Sequence, residues 1–380
     1  MTPALGLYVH WPYCARICPY CDFNVYRARG DDEALVDAIC SDLAAWREMT
    51  GPRTLHSVHF GGGTPSLLSP THMARLIETA ERLWGFETDI EIGLEGNPND
   101  HARFAGLADA GIKRMSLGVQ SFNDTALKGL GRDHDGDTAR HAIDAAQAAF
   151  ARVSFDMIYA LEGQSLMDWR ADLEAALSFE TGHLSLYQLT IEPGTAFERR
   201  VMRGDLAVPD SDLGADLYEL TQELCAQAGL TAYEVFNHAR TPEDRSRHNR
   251  LYWRGEDWIG VGPGAHGRLG AFSHGNRLAT EAVRRPAEYI AQIKASGRGY
   301  IEDTYLTARE EAVERVLMGL RVVEGLDRNR LRSATGLDIN PDTARAHADV
   351  GLLEFDNARV ALTTEGRLFA DRIASDLTPD

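Results

Sequence analysis

Short apolar runs, rich in β-branched residues, alternate with longer amphipathic stretches through the first half of this 380-residue chain. The runs predict six strands, and the stretches between them predict helices such as Asp31–Arg47 and Pro70–Leu83, the second capped by Ser69. The predicted strands are Leu5–His10, Ser57–Phe60, Ile90–Glu95, Lys113–Val119, Val153–Tyr159 and Leu184–Thr190. Repeated strand-then-helix units indicate a parallel sheet in the α/β class. Six units fit a partial (β/α)6 barrel, although periodicity alone does not separate it from an open doubly wound sheet.

Polar residues follow the predicted strands at the point where each strand ends. The residues concerned are His10, Gly61–Thr64, Glu95, Gln120 and Asp156. In (β/α) barrels the carboxyl ends of the strands form the rim that carries the active site. This placement favours the barrel and predicts a site at that rim.

The pattern changes after about residue 200. A helical stretch, Asp210–Ala228, is followed further on by the capping box Thr307-Ala308-Arg309-Glu310. The tail predicts two short helices, a hairpin (Leu353–Phe355 with Val360–Leu362) and a last helix, typical of a smaller α-rich, winged-helix-like C-terminal domain. We therefore divide the chain into a barrel (1–200), a connecting region (201–300) and a C-terminal domain (301–380).

Three of the five cysteines, Cys14, Cys18 and Cys21, lie in a C-x3-C-x2-C run near the N-terminus. Three thiolates can bind three irons of a [4Fe-4S] cube and leave the fourth iron open, whereas four thiolates close the cluster. The alternative is zinc, which prefers four ligands, often in two CxxC pairs. Neither Cys40 nor Cys225 belongs to such a pair, so the run favours an iron–sulfur cluster.

Bulk composition narrows the class of protein. The net charge of −18 argues against a general nucleic-acid binder and against broad electrostatic attraction to anionic lipid. No apolar run approaches the roughly 18 residues that span a bilayer. Clustered cysteines suit a reducing compartment better than a disulfide framework. We expect a soluble cytoplasmic protein without stable membrane insertion.

Other motifs could bind a small ligand. Gly61–Ser66 follows a strand and precedes a helix, so its backbone could approach a ligand closely, although it could equally form a phosphate cradle or a plain turn. Glu95 or Asp156 could accept hydrogen bonds from ribose hydroxyls, and Arg132 could bind a carboxylate. Taken singly, each charged residue is as readily explained as a surface ion pair or a helix cap.

Taken together, these motifs resemble the radical S-adenosylmethionine (SAM) superfamily, in which the open iron chelates SAM and the reduced cluster yields a 5'-deoxyadenosyl radical. Their order resembles one branch, the oxygen-independent coproporphyrinogen III oxidases and the HemW-type haem chaperones. The most specific stretches are Tyr8–Phe23, Gly61–Ser66, Ser116–Phe122, Leu186–Phe197 and Tyr252–Gly267. The resemblance implies a [4Fe-4S] cluster on the three cysteines and SAM contacts from Tyr8, Tyr20, Gly62, Gly63, Thr64, Glu95, Gln120, Arg132 and Asp156. One departure is Ala160-Leu161-Glu162-Gly163, where relatives usually carry Gly-Leu-Pro-Gly.

The same resemblance separates an enzyme from a carrier. The oxidases have a further cysteine where this chain has Phe23, and a long segment before the first strand where this chain has seven residues before Tyr8. Both differences favour the haem chaperone over the oxidase, which remains the alternative. His248-Asn249-Arg250-Leu251-Tyr252-Trp253 matches the HNxxYW motif that the chaperones associate with haem binding.

This motif implies haem as cargo, with His248 as an axial ligand and Tyr252 and Trp253 packing on the porphyrin. His238 and His266 are competing ligands, and His248 could instead be a structural histidine. The resemblance further implies acceptor haem proteins of respiratory type, transient membrane association and a homodimer as a family-level option.

Overall fold

A computed structural model describes residues 3–28, 32–207, 210–270, 277–301 and 304–379. The predicted start of the first helix, Asp31, lies outside these residues. The strands are β1 (Leu5–Trp11), β2 (Tyr13–Cys14), β3 (Tyr26–Arg27), β4 (Leu55–Gly62), β5 (Phe86–Gly96), β6 (Arg114–Gln120), β7 (Arg152–Tyr159), β8 (His183–Gln188), β9 (Thr231–Ala232), β10 (Asn237–Ala239), β11 (Asp257–Val261), β12 (His266–Leu269), β13 (Leu278–Glu281), β14 (Thr304–Tyr305), β15 (Leu326–Asp327), β16 (Leu353–Phe355) and β17 (Arg359–Leu362).

Helices connect most of these strands. They are α1 (Asp32–Thr50), α2 (Pro70–Trp84), α3 (Phe104–Asp109), α4 (Asp124–Gly129), α5 (Gly136–Ala149), α6 (Leu166–Leu177), α7 (Ala196–Met202), α8 (Ser211–Gln227), α9 (Arg247–Trp253), α10 (Pro286–Ser296), α11 (Ala308–Gly319), α12 (Arg328–Thr335), α13 (Pro341–Asp349) and α14 (Ala370–Leu377). The predicted cap at α2 is present, because the Ser69 side chain accepts a hydrogen bond from the His72 amide. No helix in the described ranges is long and apolar enough to cross a membrane.

The six predicted strands are β1, β4, β5, β6, β7 and β8, and they lie side by side in that order, all parallel. The α/β prediction with a partial (β/α)6 barrel is therefore confirmed. Further strands extend the sheet at both edges, which the sequence pattern did not predict. β11 pairs in parallel with the other side of β1, followed by antiparallel β12 to β14, and β10 and β9 continue beyond β8.

The two faces of the sheet differ in polarity because successive side chains of a strand point to opposite faces. Apolar positions such as Leu5, Leu7 and Val9 of β1 belong to the main hydrophobic core. The alternate positions carry polar groups that bond to one another across strands, as His59 of β4 does to Glu95 of β5 at 3.2 Å. The inner face of the barrel is thus polar, which places hydrogen-bonding groups where a ligand can reach them.

The C-terminal unit has its own core and sheet. Helices α11 to α14 surround a three-stranded sheet in the order β15-β17-β16, and buried Leu331, Val360 and Ile373 belong to a separate hydrophobic cluster. The predicted capping box at Thr307 and Glu310 opens α11. This arrangement confirms the smaller α-rich C-terminal domain. The boundaries at residues 200 and 300 stay predictions, and the main sheet continues across both through β9 to β14.

Candidate functional site

The cysteine loop is held at the carboxyl end of the sheet by backbone hydrogen bonds. Short β2 and β3 pair in parallel on either side of the loop, and the Cys21 amide donates to the Cys18 carbonyl at 3.2 Å. The glycine-rich turn after β4 joins this support, because the Thr64 amide donates to the Tyr13 carbonyl at 2.8 Å. Cysteine loop and glycine turn therefore form one backbone unit.

The glycines of that turn are needed for packing within the protein. A Cβ at Gly63 would lie 2.7 Å from the Tyr13 carbonyl oxygen, and a Cβ at Gly62 would collide with the imidazole ring of His10. Gly62 also has a φ of 105°, a conformation that glycine adopts readily. The sequence predicted that the backbone of this turn approaches a ligand closely. In the structure, the groups that approach these glycines are His10 and the Tyr13 carbonyl.

Most of the predicted cluster and SAM residues line one cavity of about 150 Å³ above β4 to β7. They are Cys14, Cys18, Cys21, Tyr20, Gly62, Gly63, Thr64, Glu95, Gln120, Arg132 and Asp156. Among the described residues, no three His, Cys, Asp or Glu side chains converge closely enough to bind a single metal ion. The three thiols therefore share the cavity wall without meeting at one point.

Two buried polar atoms in this cavity have no hydrogen-bond partner in the part of the chain that the structure describes. They are Gln120 Oε1 and Arg132 Nε. Gln120 also has a φ of 71°, which is strained for a residue with a side chain. Arg132 is fixed by its other nitrogens, with Nη2 donating to the Gly118 carbonyl at 2.7 Å and Nη1 lying 3.4 Å from Cys18 Sγ. Buried polar atoms without partners are uncommon, so the pair marks a place for a polar ligand.

The thiols of the cysteine loop are expected to lose their protons when a metal binds to them. Burial raises the pKa of Cys21 to about 11 and also raises the pKa of Cys14. Both thiols are therefore protonated at neutral pH until a metal binds, because metal ligation requires the thiolate. The Arg132 guanidinium lies beside Cys18, where its positive charge would compensate a cluster of thiolates.

Two carboxylates close the opposite wall. Glu95 accepts a hydrogen bond from the Gly62 amide at 3.1 Å, which ties the end of β5 to the glycine turn. Asp156 accepts one from Ser116 Oγ at 3.3 Å. Burial, with Glu95 nearby, raises the pKa of Asp156 to about 7. Near neutral pH, Asp156 can consequently accept or donate a hydrogen bond to a hydroxyl of a bound ligand.

A second cavity of about 630 Å³ adjoins the first and contains two of the remaining predicted residues, Tyr8 and Tyr252. Gly62, Glu95 and Phe23 line both cavities. Phe23, the position that distinguishes the two branches by resemblance, has 57% of its surface exposed. The cysteine loop thus forms part of the wall between a polar cavity and a larger one.

His248 lies outside both cavities. It is 1% exposed on α9, its Nδ1 is 2.8 Å from Ser57 Oγ, and its Nε2 is 2.5 Å from the Tyr252 hydroxyl. Burial, with His59 beside it, lowers its pKa well below the usual range. Iron ligation by His248 stays a prediction, and it would require one of these hydrogen bonds to break.

The other residues of that motif point elsewhere. Trp253 lines a third cavity of about 440 Å³ between α9 and the C-terminal unit, together with Arg250, Arg254 and Glu324.

The competing ligand His238 is also buried, with Nε2 3.3 Å from Gln222 Oε1. His266, by contrast, is exposed and lines the 630 Å³ cavity.

The sequence analysis did not identify Asn24, whose side chain ties the cysteine loop to residues 263 and 284 beside the larger cavity. Its amide nitrogen donates to the carbonyls of Pro263 at 2.9 Å and Arg284 at 2.8 Å, and its own carbonyl oxygen lies 2.9 Å from His10 Nε2. The residue fixes the cysteine loop to the turn that carries His266. No sequence motif identifies it, because the two carbonyls that its side-chain amide bonds, those of Pro263 and Arg284, are more than 200 residues away in the chain.

Ala160 is one of the residues at which the sequence departs from the Gly-Leu-Pro-Gly that relatives usually carry. It has a φ of 58°, in the left-handed region that glycine adopts most easily, and it follows the end of β7. Glycine, which relatives usually carry here by resemblance, would adopt this conformation without strain, whereas the alanine strains the loop.

Comparison with known proteins places the chain in a family. Residues 8–176 match the radical SAM superfamily model, and residues 306–369 match the HemN C-terminal domain model. The chain is 36% identical to the haem chaperone HemW of Mycobacterium tuberculosis over 98% of this chain and 94% of that one. It is 38% identical to the mitochondrial radical S-adenosyl methionine domain-containing protein 1 of Bos taurus, over 86% of this chain and 76% of that one.

Among solved structures, the coproporphyrinogen III oxidase HemN of Escherichia coli has the same fold, with a TM-score of 0.83, 22% identity, and coverage of 99% of this chain and 90% of that one. At this identity the likeness shows the fold alone. The sequence similarity to the chaperones extends over nearly the whole chain, so it is the more specific finding, and it agrees with the two domain matches. The chain therefore belongs to the HemW-like family of radical SAM proteins.

Proposed function

We propose that this protein is a haem chaperone that binds haem and delivers it to acceptor haem proteins, and that it carries a SAM-binding [4Fe-4S] cluster. The observation that carries the proposal is the pair of adjoining cavities that meet at Phe23. One is polar and lined by three thiols, and the other is larger and lined by aromatic side chains. The similarity to HemW proteins over nearly the whole chain supports the same assignment.

The residues of the polar cavity fit a cluster with one open iron. Cys14, Cys18 and Cys21 would hold three irons, and the wall opposite supplies the unpartnered Gln120 Oε1 and Arg132 Nε for a polar ligand. A fourth thiol is absent from the described wall of this cavity. This donor set supports a cluster whose remaining iron binds SAM.

When bound, the cluster and SAM supply one-electron chemistry, and the chain's own residues position them. Arg132 places positive charge beside the thiolates and is oriented by the Gly118 carbonyl. Glu95 is held by the Gly62 amide, so its free lone pairs point to a fixed place for a cationic or hydroxyl group. Asp156, with a pKa near 7, can hold a proton at its carboxyl oxygen when a hydroxyl acceptor faces it.

Phe23 favours transport over catalysis. In the oxidases, by resemblance, this position carries an additional cysteine close to the cluster. A phenyl ring offers neither a ligand nor a proton, and it gives the larger cavity an apolar wall that can pack on a porphyrin. The fold likeness to the oxidase does not bear on this choice, because both activities occur on the same fold.

The acceptors that we propose are haem proteins that receive the cargo by transient contact. A respiratory acceptor at a membrane, a cytoplasmic site of action and a homodimeric state are further parts of the proposal taken from the family resemblance. Delivery requires haem to leave, so we expect moderate affinity and an exposed edge of the bound porphyrin.

One experiment separates carrier from oxidase. The cluster is reconstituted anaerobically, and the same sample is divided between a haem titration and an incubation with SAM, a reductant and coproporphyrinogen III. We expect saturable one-to-one haem binding and no porphyrin product. Decarboxylated porphyrin formed together with 5'-deoxyadenosine would show that the protein is an oxidase and that Phe23 does not prevent the reaction.

A further inference from the structure

The 630 Å³ cavity contains exposed apolar groups from three separate parts of the chain. Phe23 of the cysteine loop is 57% exposed, Met318 of α11 is 37% exposed, and Trp258 of β11 lines the same cavity. The ring centroids of Tyr252 and Trp258 are 4.7 Å apart, with their planes at 66°. Large apolar side chains that converge on one cavity and stay partly exposed indicate a flat, apolar ligand.

The volume and charge of this cavity suit a porphyrin. About 630 Å³ lies within the range of pockets that bury small organic ligands and cofactors. Arg284 lines the same cavity and supplies a cation for a propionate, although it is also paired with Glu281 at 2.7 Å. Asp22 and Glu95 line the cavity too, so the propionates are best placed on the Arg284 side.

The histidines near the cavity differ in whether their ring nitrogens are available. His10 has Nδ1 3.1 Å from the Tyr8 hydroxyl and Nε2 2.9 Å from the Asn24 carbonyl oxygen. Both nitrogens of His248 are likewise engaged, by Ser57 and Tyr252. The imidazole of His266 makes no hydrogen bond or ion pair with any described residue. Its backbone is engaged, through the pairing with Glu281 of β13 and through the carbonyl that accepts a hydrogen bond from Trp258 Nε1.

We propose that this cavity is the haem site and that His266, not His248 of the HNxxYW motif, is the axial ligand of the haem iron. The inference rests on the proposed function, since it assumes haem as the cargo. A ring nitrogen of His266 would form the coordination bond and displace a water from ferric iron, with no change of oxidation state. His248 is then a positioning residue that holds the Tyr252 hydroxyl and so fixes an aromatic wall of the site.

The cavity wall shields the His266 imidazole partly from water, and this desolvation lowers its pKa and so favours the neutral ring. A neutral imidazole has the lone pair that iron binds. The turn that carries His266 is fixed by Asn24, so the ligand has a defined position relative to the cysteine loop. One short segment, the cysteine loop with Asn24, therefore connects the proposed haem site with the cluster cavity.

The test is a ferric haem titration of the full chain with its cluster reconstituted, followed by the Soret band and the electron paramagnetic resonance of the ferric iron. The variants are His266→Ala, His266→Tyr and His248→Ala. His141→Ala is the matched control, because His141 is an exposed histidine on α5 outside the cavity. All variants are first compared with the unaltered protein for folding by circular dichroism.

We expect His266→Ala to weaken haem binding at least tenfold and to lose the histidine-ligated spectrum. His266→Tyr should still bind haem but shift the Soret band and give a high-spin ferric signal, since a phenolate replaces the imidazole. His141→Ala should keep both the spectrum and the haem affinity of the unaltered protein. His248→Ala should keep the histidine-ligated spectrum but bind haem more weakly, because the Tyr252 side chain loses the hydrogen bond that fixes it. An unchanged spectrum and affinity in His266→Ala, with loss of both in His248→Ala, would overturn the assignment but leave the chaperone proposal intact. Absence of haem binding by the unaltered protein would overturn both.

Discussion

Two regions inside the same barrel differ in how completely their polar groups are satisfied. At the open end, Gln120 Oε1 and Arg132 Nε are buried without a partner, and Gln120 has a strained backbone. Deeper inside, the His248 ring and the Ser57 hydroxyl satisfy one another, and the His248 amide donates to buried Glu91 at 3.1 Å. A region with unsatisfied groups is prepared for a ligand, whereas a satisfied one stabilises the fold.

The comparison shows that a sequence motif does not by itself mark a ligand-binding site. Both regions contain sequence motifs that resemble family signatures, yet only the cysteine motif lines a cavity with groups left over for a ligand. The HNxxYW helix instead packs its histidine against β4 and presents Tyr252 to the neighbouring cavity. An effect of His248 on a ligand would consequently be indirect, through Tyr252.

The largest effect is expected at the open end, from Cys18→Ala. Loss of one of three thiolates should prevent cluster assembly and abolish the brown chromophore of the reconstituted protein. Iron and sulfide analysis with the visible spectrum measures this. Cys40→Ala is the control, because Cys40 is on α1 next to Thr79 and outside the cavity, and it should keep full iron. Near-full iron and sulfide in Cys18→Ala would show that the cluster has other ligands.

The next effect concerns pH and Asp156. Its folded pKa is raised to about 7 from an ordinary value near 4, so the protonated form favours the fold. This contribution is present below about pH 4 and is lost as the pH rises to about 7, at most about 4 kcal/mol. In the cluster-free protein, Asp156→Asn should therefore gain stability relative to the unaltered protein over that range, as urea unfolding at several pH values will measure.

A matched comparison exists for this prediction. Burial raises the pKa of Asp42 to about 6, and Asp42 lies in the core beside Tyr289, away from the cavity. Asp42→Asn should alter the pH dependence only up to about pH 6. Identical slopes for Asp156→Asn and the unaltered protein between pH 4 and 7 would contradict the assignment of a neutral Asp156.

In the satisfied region, His248→Ala should lower the free energy of unfolding by about 2–4 kcal/mol. The substitution leaves Ser57 Oγ without a bonded partner in a buried site and opens a space beside Tyr252. Chemical denaturation measures the loss, with His141→Ala expected to change stability by less than about 0.5 kcal/mol. Equal stabilities of the two variants would mean that the deeper region does not stabilise the fold.

The smallest effect is expected for SAM affinity in Arg132→Ala. A hydrogen bond to a charged group contributes about 1.5–3 kcal/mol, so the variant should bind SAM about 10- to 100-fold more weakly once the cluster is present. Arg132→Lys keeps the charge but loses the fork that bonds the Gly118 carbonyl, and it should fall between. Calorimetric titration measures both, against Lys128→Ala on the exposed side of α4. Unaltered affinity in Arg132→Ala would remove Arg132 from the site.

Much of the barrel could be predicted from local pattern. The six parallel strands were predicted because strand and helix periodicities are properties of short segments, and the α2 cap and the α11 capping box likewise depend on residues three apart. The placement of β11 beside β1 could not be predicted in this way. It depends on long-range contacts such as the ion pair between Arg53 and Asp257 at 2.7 Å, which joins segments about 200 residues apart.

The sequence by itself determined the α/β class, the cysteine motif and the polar residues at the strand ends, because each depends on residue type and short spacing. Only the tertiary structure decided which histidine faces a cavity. His248 and Ser57 are 191 residues apart, and their hydrogen bond forms only when α9 packs on β4. A histidine's role depends on what its two nitrogens contact, and those contacts are made by distant parts of the chain.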